Sequence, residues 1–469
     1  MLPELMIELD VTLSKKRFSL LDQENFSIFS GDFNPIHIDP IAARRTLTGQ
    51  CIVHGMHCLI WALESLFIKY QLTVSKVKVR FLKPIFLNEE IFCNWNPQNN
   101  RISLLTEGVT LCTIDVTLGD IIPLGIQPKG TQAKSHYPDI VSFNECLNFK
   151  NFPLNSNEDH VLANKLFPNF CIAYGQTILC DLGAASYIVG MKCPGLHSIF
   201  SSFKATFNVH RNESSFTTLE CDERFHQIRL SFQGKSIDAE IEAFYRPPPS
   251  LSENISIISY QVDKKELQDV SALIIGGSRG LGETVAKIIA AAGGRVVITY
   301  HVGRADAESV CNEITRWGGQ CKLVRFNVLE DQNHEIDYSH FNQIYYFATP
   351  KISFKRNSAF DQAVDLAYRT FYLTAFKDIC LNLIKIDSNT KVFYPSTVLI
   401  ETIPKGLEHF TQIKLDGEKL CDQLNLLEKI KILVRRLPQL PTDQNQSIFE
   451  TSRANIVQCL LPIIREMNN

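Results

Sequence analysis

The sequence predicts two consecutive α+β units, each a long helix followed by antiparallel strands, and then a doubly wound α/β domain. Three observations carry that class. An apolar helix candidate is followed by four alternating strand candidates, and the same order of elements recurs about 120 residues later without visible sequence similarity. Beyond residue 250 the pattern changes to short β-branched runs without alternation, separated by helix candidates, as in parallel strands covered on both faces. Between the two regimes stand Pro247, Pro248 and Pro249, which end a strand-like run.

In the first zone the helix candidate is CIVHGMHCLIWALESLFIKY, and the strand candidates are KVKVRFLKPIF, EEIFCNWNP, RISLLTEGV and LCTIDVTLG. A stretch rich in Gly, Pro and polar residues, 119 to 139, reads as a linker. The second zone repeats the plan with one helix candidate, FCIAYGQTILCDLGAASYIVGMKC, and the strands SSFKATFNVHR, SFTTLECDERF, QIRLSFQGK and IDAEIEAFYR. Helix-then-strands suits a sheet wrapped around a helix, and two copies suggest a fused pair; two unrelated α+β domains are the alternative. The third zone alternates SALIIGG, RVVITY, CKLVRFNV, QIYYFAT, KVFYPSTV and KIKILVRRL with helix candidates. The domains expected are 1–125, 140–249 and 260–469, in keeping with a length of 469 residues at roughly 100 to 200 per domain.

Composition excludes several classes. With 45% hydrophobic residues and a net charge of -3, the chain is neither disordered nor a basic nucleic-acid coat. No apolar run approaches the ~20 residues needed to cross a bilayer, and the start lacks the pattern of a secretory leader, so the expected location is cytoplasmic. The 14 cysteines form no CxxC pair; they read as reduced core residues, and no metal site is expected.

The most informative segment runs from Phe29 to Asp39 and continues at Ile52-Val-His-Gly-Met56. Asp32 and His37 lie in a stretch where Gly31 and Pro35 forbid a regular helix, so a loop can turn both side chains toward one point. A carboxylate beside an imidazole can hold a water and move its protons. The plain alternative for such a spacing is an Asx-turn beside a surface histidine.

Ser30, Gly31, Asp32, Asn34, Pro35, His37 and Asp39, followed by Val53, His54, Gly55 and Met56, resemble the signature of the MaoC-like, (R)-specific enoyl-thioester hydratase family, and RFLKPIF resembles its strand after the central helix. The resemblance implies a hot-dog fold, here a double hot-dog, with an acyl thioester threaded along the central helix. It assigns Asp32 and His37 to water activation, Asn34 to ordering the loop or the water, and the Gly55 N–H to the thioester oxyanion. By the same resemblance His54 and His57 are packing residues, Asp39 is structural, and the second zone, which lacks the loop, shapes the acyl pocket. His197 reads as a turn residue after Pro194-Gly195.

In the third zone, Ala272 to Glu283 reads as a strand, a glycine-rich turn and a helix start, which suits a pyrophosphate. Gly276, Gly277, Ser278, Arg279, Gly280, Leu281 and Gly282 resemble the cofactor loop of the short-chain dehydrogenase/reductase family, and so imply a Rossmann-type domain. Tyr300 and His301 stand where an NAD-preferring domain has an acid, and Arg304 and Arg279 favour a 2′-phosphate, so NADP(H) is the expected cofactor. The family's catalytic Ser-Tyr-Lys set is incomplete: Ser396 and Lys414 are in place, but Phe410 occupies the tyrosine position. Tyr394 and His409 are the candidate substitutes.

The chain is therefore expected to interconvert trans-2-enoyl and (R)-3-hydroxyacyl thioesters of coenzyme A or acyl carrier protein, in fatty-acid or polyketide metabolism, with a degenerate reductase-like domain. A homodimer through that domain is one expectation; nucleic acid and membrane partners are not. Two alternatives stand beside it: an NADP-dependent 3-ketoacyl-thioester reductase with an acyl-binding module, and a non-enzymatic acyl- or nucleotide-sensing scaffold.

Overall fold

A computed structural model describes residues 10–121, 136–154, 159–330, 336–350, 352, 362–386, 389–443 and 454–469. Most of the linker expected at 119–139 lies outside the described residues. The chain divides into two compact units, the first running up to Pro248 and the second starting at Pro249.

The first unit holds one ten-stranded antiparallel sheet. Its first half comprises β1 (Val11–Arg17), helix α1 (Leu20–Ser30), helix α2 (Gly55–Tyr70), β2 (Val74–Phe81), β3 (Glu90–Asn96), β4 (Arg101–Thr106) and β5 (Val109–Leu118). The second half comprises β6 (Phe152–Leu154), helix α3 (Gln176–Tyr187), β7 (Ser198–Phe207), β8 (Ser214–Asp222), β9 (Gln227–Gln233) and β10 (Ile237–Tyr245). The strand order is β1-β3-β4-β5-β2-β7-β10-β9-β8-β6. From the β2–β7 junction outward, both halves run in the same sense: the strand after the helix, then the last, fourth, third and first strand of the half. Val79 faces Phe203 across that junction, so the two sheets continue as one.

α2 is the central helix of the first half because it is apolar nearly all round; Met56, Leu59, Ile60, Leu63 and Leu66 are all fully buried. Each such burial contributes roughly 1.5–3 kcal/mol before chain entropy is counted. The helix starts at Gly55, later than the apolar run beginning at Cys51, because Cys51 to His54 are used to bring the chain in from the preceding loop. The single helix expected over 170–193 is a correction: it is broken into Pro168–Tyr174, α3 and a π-helical turn, Ile188–Lys192. The break falls at Gly175, whose φ of 81° a side chain would resist. β1 and the short β6 carry too few apolar residues to announce themselves, and each lies at an edge of the sheet.

The second unit is a six-stranded parallel sheet of β11 (Ser271–Ile275), β12 (Arg295–Tyr300), β13 (Gln320–Arg325), β14 (Gln343–Tyr346), β15 (Lys391–Thr397) and β16 (Lys431–Leu437). The order β13-β12-β11-β14-β15-β16 reverses direction between β11 and β14, the doubly wound arrangement. Helices such as α4 (Gly280–Ala291) cover its faces. Among the described residues, no helix is long and apolar enough to cross a membrane.

Candidate functional site

The loop after α1 is held rigidly by its own residues. α1 ends at Gly31, which adopts φ 80° and donates its N–H to the Ser27 carbonyl at 2.8 Å. Asn34 then starts a short helical turn, accepting from the Ile36 N–H at 3.2 Å through its side-chain oxygen. Its Nδ2 reaches the other half of the unit, donating to the Gly190 carbonyl at 2.9 Å and the Gly195 carbonyl at 3.1 Å. Asp39 caps the next turn through the N–H groups of Ile41 and Ala42.

Within this frame Asp32, His37 and His54 present one ligating atom each, all within 4.8 Å of one another. A single water accepting and donating hydrogen bonds of about 2.8 Å can bridge a gap of that size. His37 is half-buried and its Nδ1 lies 2.8 Å from the Ile52 carbonyl, which fixes that nitrogen as the donor and turns Nε2 out as a lone-pair acceptor. The His54 ring stacks on His37 at 3.8 Å between centroids, with its own Nδ1 on Gln23 and Nε2 on the Asp32 carbonyl. His57 is packed among Phe18, Phe26 and Phe167. Gly55 lies at the first position of α2, where an N–H has no intrahelical acceptor.

Asp32 is buried, and burial pushes its carboxyl up to about 7 against the downward pull of hydrogen bonds from Ser186 and Asn34. Burial pushes the His37 imidazole down to about 4; its bond to Ile52 opposes this, and the charge of Arg246 adds to it. The pair therefore has a neutral acid and a neutral base side by side between those values.

Several residues at this site had no signal in the sequence motif. Ser186 donates to Asp32 Oδ2 at 2.7 Å. Gly190 lies against the same carboxylate, so closely that a Cβ there would be 2.1 Å from Oδ1. Arg246 donates to the Leu196 carbonyl at 2.6 Å, and that oxygen also receives Asn34 at 3.4 Å. All three come from the second half, more than 150 residues away, which thus completes the site rather than only walling it. Only Arg246, a charged residue directly after an alternating strand, stood out from its surroundings. His197 is buried with Nδ1 lacking a partner, and its carbonyl accepts the Arg246 backbone N–H at 2.8 Å.

In the second unit the glycine-rich turn joins β11 to α4 at the point where the strand order reverses. Gly276, at φ 83°, donates to Thr299 Oγ1 at 3.1 Å, and a Cβ on it would press on the backbone of Phe347 and Ala348. A Cβ on Gly282 would lie 2.3 Å from the Gly276 carbonyl oxygen, so this glycine lets α4 start close to the strand. Gly280 sits at φ 59°, and Gly277 packs on Ile298. Ser278 lies in the turn, and Leu281 is the second residue of α4. Arg279 pairs with Asp443 at 3.3 Å, and Arg304, well exposed, with Glu308 at 2.7 Å.

Ser396, Lys414 and Phe410 are not gathered around an open acid. Ser396 Oγ donates to Glu418 at 2.5 Å, and Glu418 is paired with Arg436. Lys414 donates to the Pro395 carbonyl at 2.7 Å, and its ammonium lies 3.9 Å from the Tyr372 ring centroid and 4.9 Å from that of Tyr394. Burial lowers its pKa to about 7. Phe410 packs on Tyr368 and Tyr372. Tyr394 is fully buried with its hydroxyl donating to the Tyr372 carbonyl at 3.3 Å, and His409 Nδ1 lies 3.3 Å from Asp365.

Residues 7–111 match the family model of the MaoC like domain, so the chain carries a MaoC-like domain toward its N-terminus. A stretch of 116 residues is 32% identical to the peroxisomal hydratase-dehydrogenase-epimerase of Saccharomyces cerevisiae (strain ATCC 204508 / S288c), covering 24% of this chain and 12% of that protein. Among solved structures, an oxidoreductase, yciK, of E. coli is 14% identical, with a TM-score of 0.39, over 44% of this chain and 91% of its own. The NADP-bound 3-oxoacyl (acyl-carrier-protein) reductase of Agrobacterium tumefaciens C58 is 16% identical, with a TM-score of 0.34, over 38% and 73%. The doubly wound character of the second unit is read from its own strand order.

Proposed function

We propose that the first unit is a double hot-dog hydratase/dehydratase that interconverts trans-2-enoyl and (R)-3-hydroxyacyl thioesters of coenzyme A or acyl carrier protein. The observation that carries this reading is the convergence of Asp32 and His37 within reach of one water, inside a MaoC-like domain. In the hydration direction His37 Nε2 takes a proton from water as the oxygen bonds to C3, and the protonated Asp32 delivers a proton to C2. The enolate oxygen that develops in between meets the free N–H of Gly55. Dehydration runs the same steps backward, with Asp32 starting as carboxylate to take the C2 proton and His37 as imidazolium to protonate the leaving hydroxyl. The direct test is loss of the conjugated absorbance of trans-2-enoyl thioesters on adding the full-length protein, followed by chiral analysis of the 3-hydroxyacyl product. Absence of turnover over a range of chain lengths and both carriers rejects the reading.

The two protonation states set a pH profile. His37 must be neutral, so kcat/KM for hydration falls as pH drops through about 4; Asp32 must be protonated, so it falls as pH rises through about 7. The expected profile is a bell with those limbs, which belong to the pair rather than to either residue alone. A rate that keeps rising above pH 8 contradicts this assignment of acid and base.

The second unit is proposed to keep a nucleotide-binding frame without ordinary reductase chemistry. Gly276, Gly280, Gly282 and the start of α4 fit a pyrophosphate, and Arg304 beside Tyr300 and His301 fits a 2′-phosphate better than a free ribose hydroxyl. NADP(H), when bound, would supply a hydride. Among the described residues, those at the usual catalytic positions offer no free hydroxyl: Phe410 has none, Lys414 is held on the Pro395 carbonyl, Tyr394 is sealed in the core, and His409 is paired with Asp365. Restoring the hydroxyl alone is therefore insufficient. Wild type and Phe410→Tyr are both expected to leave NADPH unoxidised in the presence of 3-ketoacyl thioesters, although NADPH fluorescence reports binding. Steady oxidation by either protein would return the reductase to first place.

A further inference from the structure

We propose that Arg246 recognises a carboxylate on the acyl group, so that the first unit takes enoyl thioesters of dicarboxylic acids in preference to plain fatty ones. The choice of substrate class rests on the hydratase reading above; the carboxylate itself is argued from the surroundings of Arg246.

Arg246 follows β10 directly and is only 3% exposed. One of its nitrogens, Nη2, donates to the Leu196 carbonyl, while Nε and Nη1 are buried without an acceptor among the described residues. Among the described residues no carboxylate pairs with it; the groups that bear on its charge are the phenols of Tyr137 and Tyr245. Burial lowers the guanidinium to about 10, so it remains charged at neutral pH. A buried cation without a counter-ion costs several kcal/mol, and proteins ordinarily place a carboxylate beside it. A protein that omits the carboxylate leaves the place for one brought by a ligand. The neighbouring His197, only 7% exposed, has Nδ1 unpartnered as well, giving a second unmet polar group on the adjoining segment.

The position says which part of the ligand carries the anion. The Leu196 carbonyl that holds Arg246 also receives Asn34, two residues from Asp32, and the Arg246 charge acts on His37. The guanidinium thus borders the acid–base pair, on the side built by the second half. Phosphates of a carrier are bulky, strongly hydrated and many bonds from the reacting carbons, so they suit the mouth of a site rather than a residue this deeply buried. A carboxylate at the end of a short acyl chain is planar and carries the acceptors that a guanidinium fork requires.

The test compares ligands that differ only in that group. Calorimetric titration of the full chain with pentanoyl-CoA and glutaryl-CoA, both saturated and so not turned over, is expected to show about tenfold or tighter binding of the carboxylated ligand. In Arg246→Met the two bind alike, and in Arg246→Lys, which keeps the charge but not the fork, the difference shrinks. Wild-type protein binding both ligands alike overturns the proposal whether or not the variants fold. So does a difference that persists in Arg246→Met, or an Arg246→Met defect seen with pentanoyl-CoA but not with pentanoyl-N-acetylcysteamine, which would place the contact on carrier phosphate. Hydration of the matching 2-enoyl thioesters is followed separately: no turnover of either, with the binding preference intact, rejects the hydratase and keeps the carboxylate site.

Discussion

Asp32→Asn and His37→Ala should each lower kcat/KM for hydration of a trans-2-enoyl thioester by about a thousandfold, because each removes one proton carrier from a reaction that needs two. The asparagine keeps the shape of the carboxyl and can still receive the Ser186 hydroxyl, so its loss isolates proton transfer from packing. The alanine removes the imidazole that stacks on His54 and bonds to the Ile52 carbonyl, and melting temperature must be followed alongside rate. Since the two groups serve one addition across the same double bond, the double variant should lose little more than either single one; groups that act as a unit are not additive. Either single variant retaining activity within tenfold of wild type would remove the pair from the mechanism.

The parts of this site that could be read beforehand share one property: they are contiguous. Asp32, Asn34 and His37 lie within six residues, and the constraints of Gly31 and Pro35 are local, so the loop and its chemistry follow from short-range rules. The six parallel strands of the second unit were equally legible, because strands buried on both faces need unbroken apolar runs such as SALII and RVVITY. Ser186 and Gly190 obey no local rule. A serine and a glycine inside an apolar helix look like packing residues until the fold brings them against Asp32. Gly175 was legible as a residue but not as a break, since the apolar pattern continues on both sides of it and only its φ of 81° divides the helix. The reductase-like positions of the second unit were half legible. That Phe410 stands where the resemblance expects a tyrosine follows from the sequence, but that Lys414 is pinned on the Pro395 carbonyl depends on packing against β15.

The contribution of the second half can be tested without touching any ionisable group. Gly190→Ala places a Cβ 2.1 Å from Asp32 Oδ1 and 2.5 Å from Cγ, far inside contact distance. The π-helical turn Ile188–Lys192 is tied down by the Asn34 bond to the Gly190 carbonyl, so the carboxylate is the part that must yield. Moving it turns its oxygens away from Ser186 Oγ and out of line with His37. A displacement near 1 Å at a reacting group costs on the order of a hundredfold in rate, and that is the expected fall in kcat/KM for Gly190→Ala. Gly183→Ala in α3 is the matched control: its Cβ would meet the Phe29 ring at 3.1 Å, a side chain that can shift by a few tenths of an ångström. It should melt no lower than Gly190→Ala and keep most of the activity. If both variants lose activity in proportion to stability, the second half only supports the fold. If Gly190→Ala alone is inactive while folded, the position of the Asp32 carboxylate is set by a residue that carries no functional group at all, and the two halves form one catalytic site.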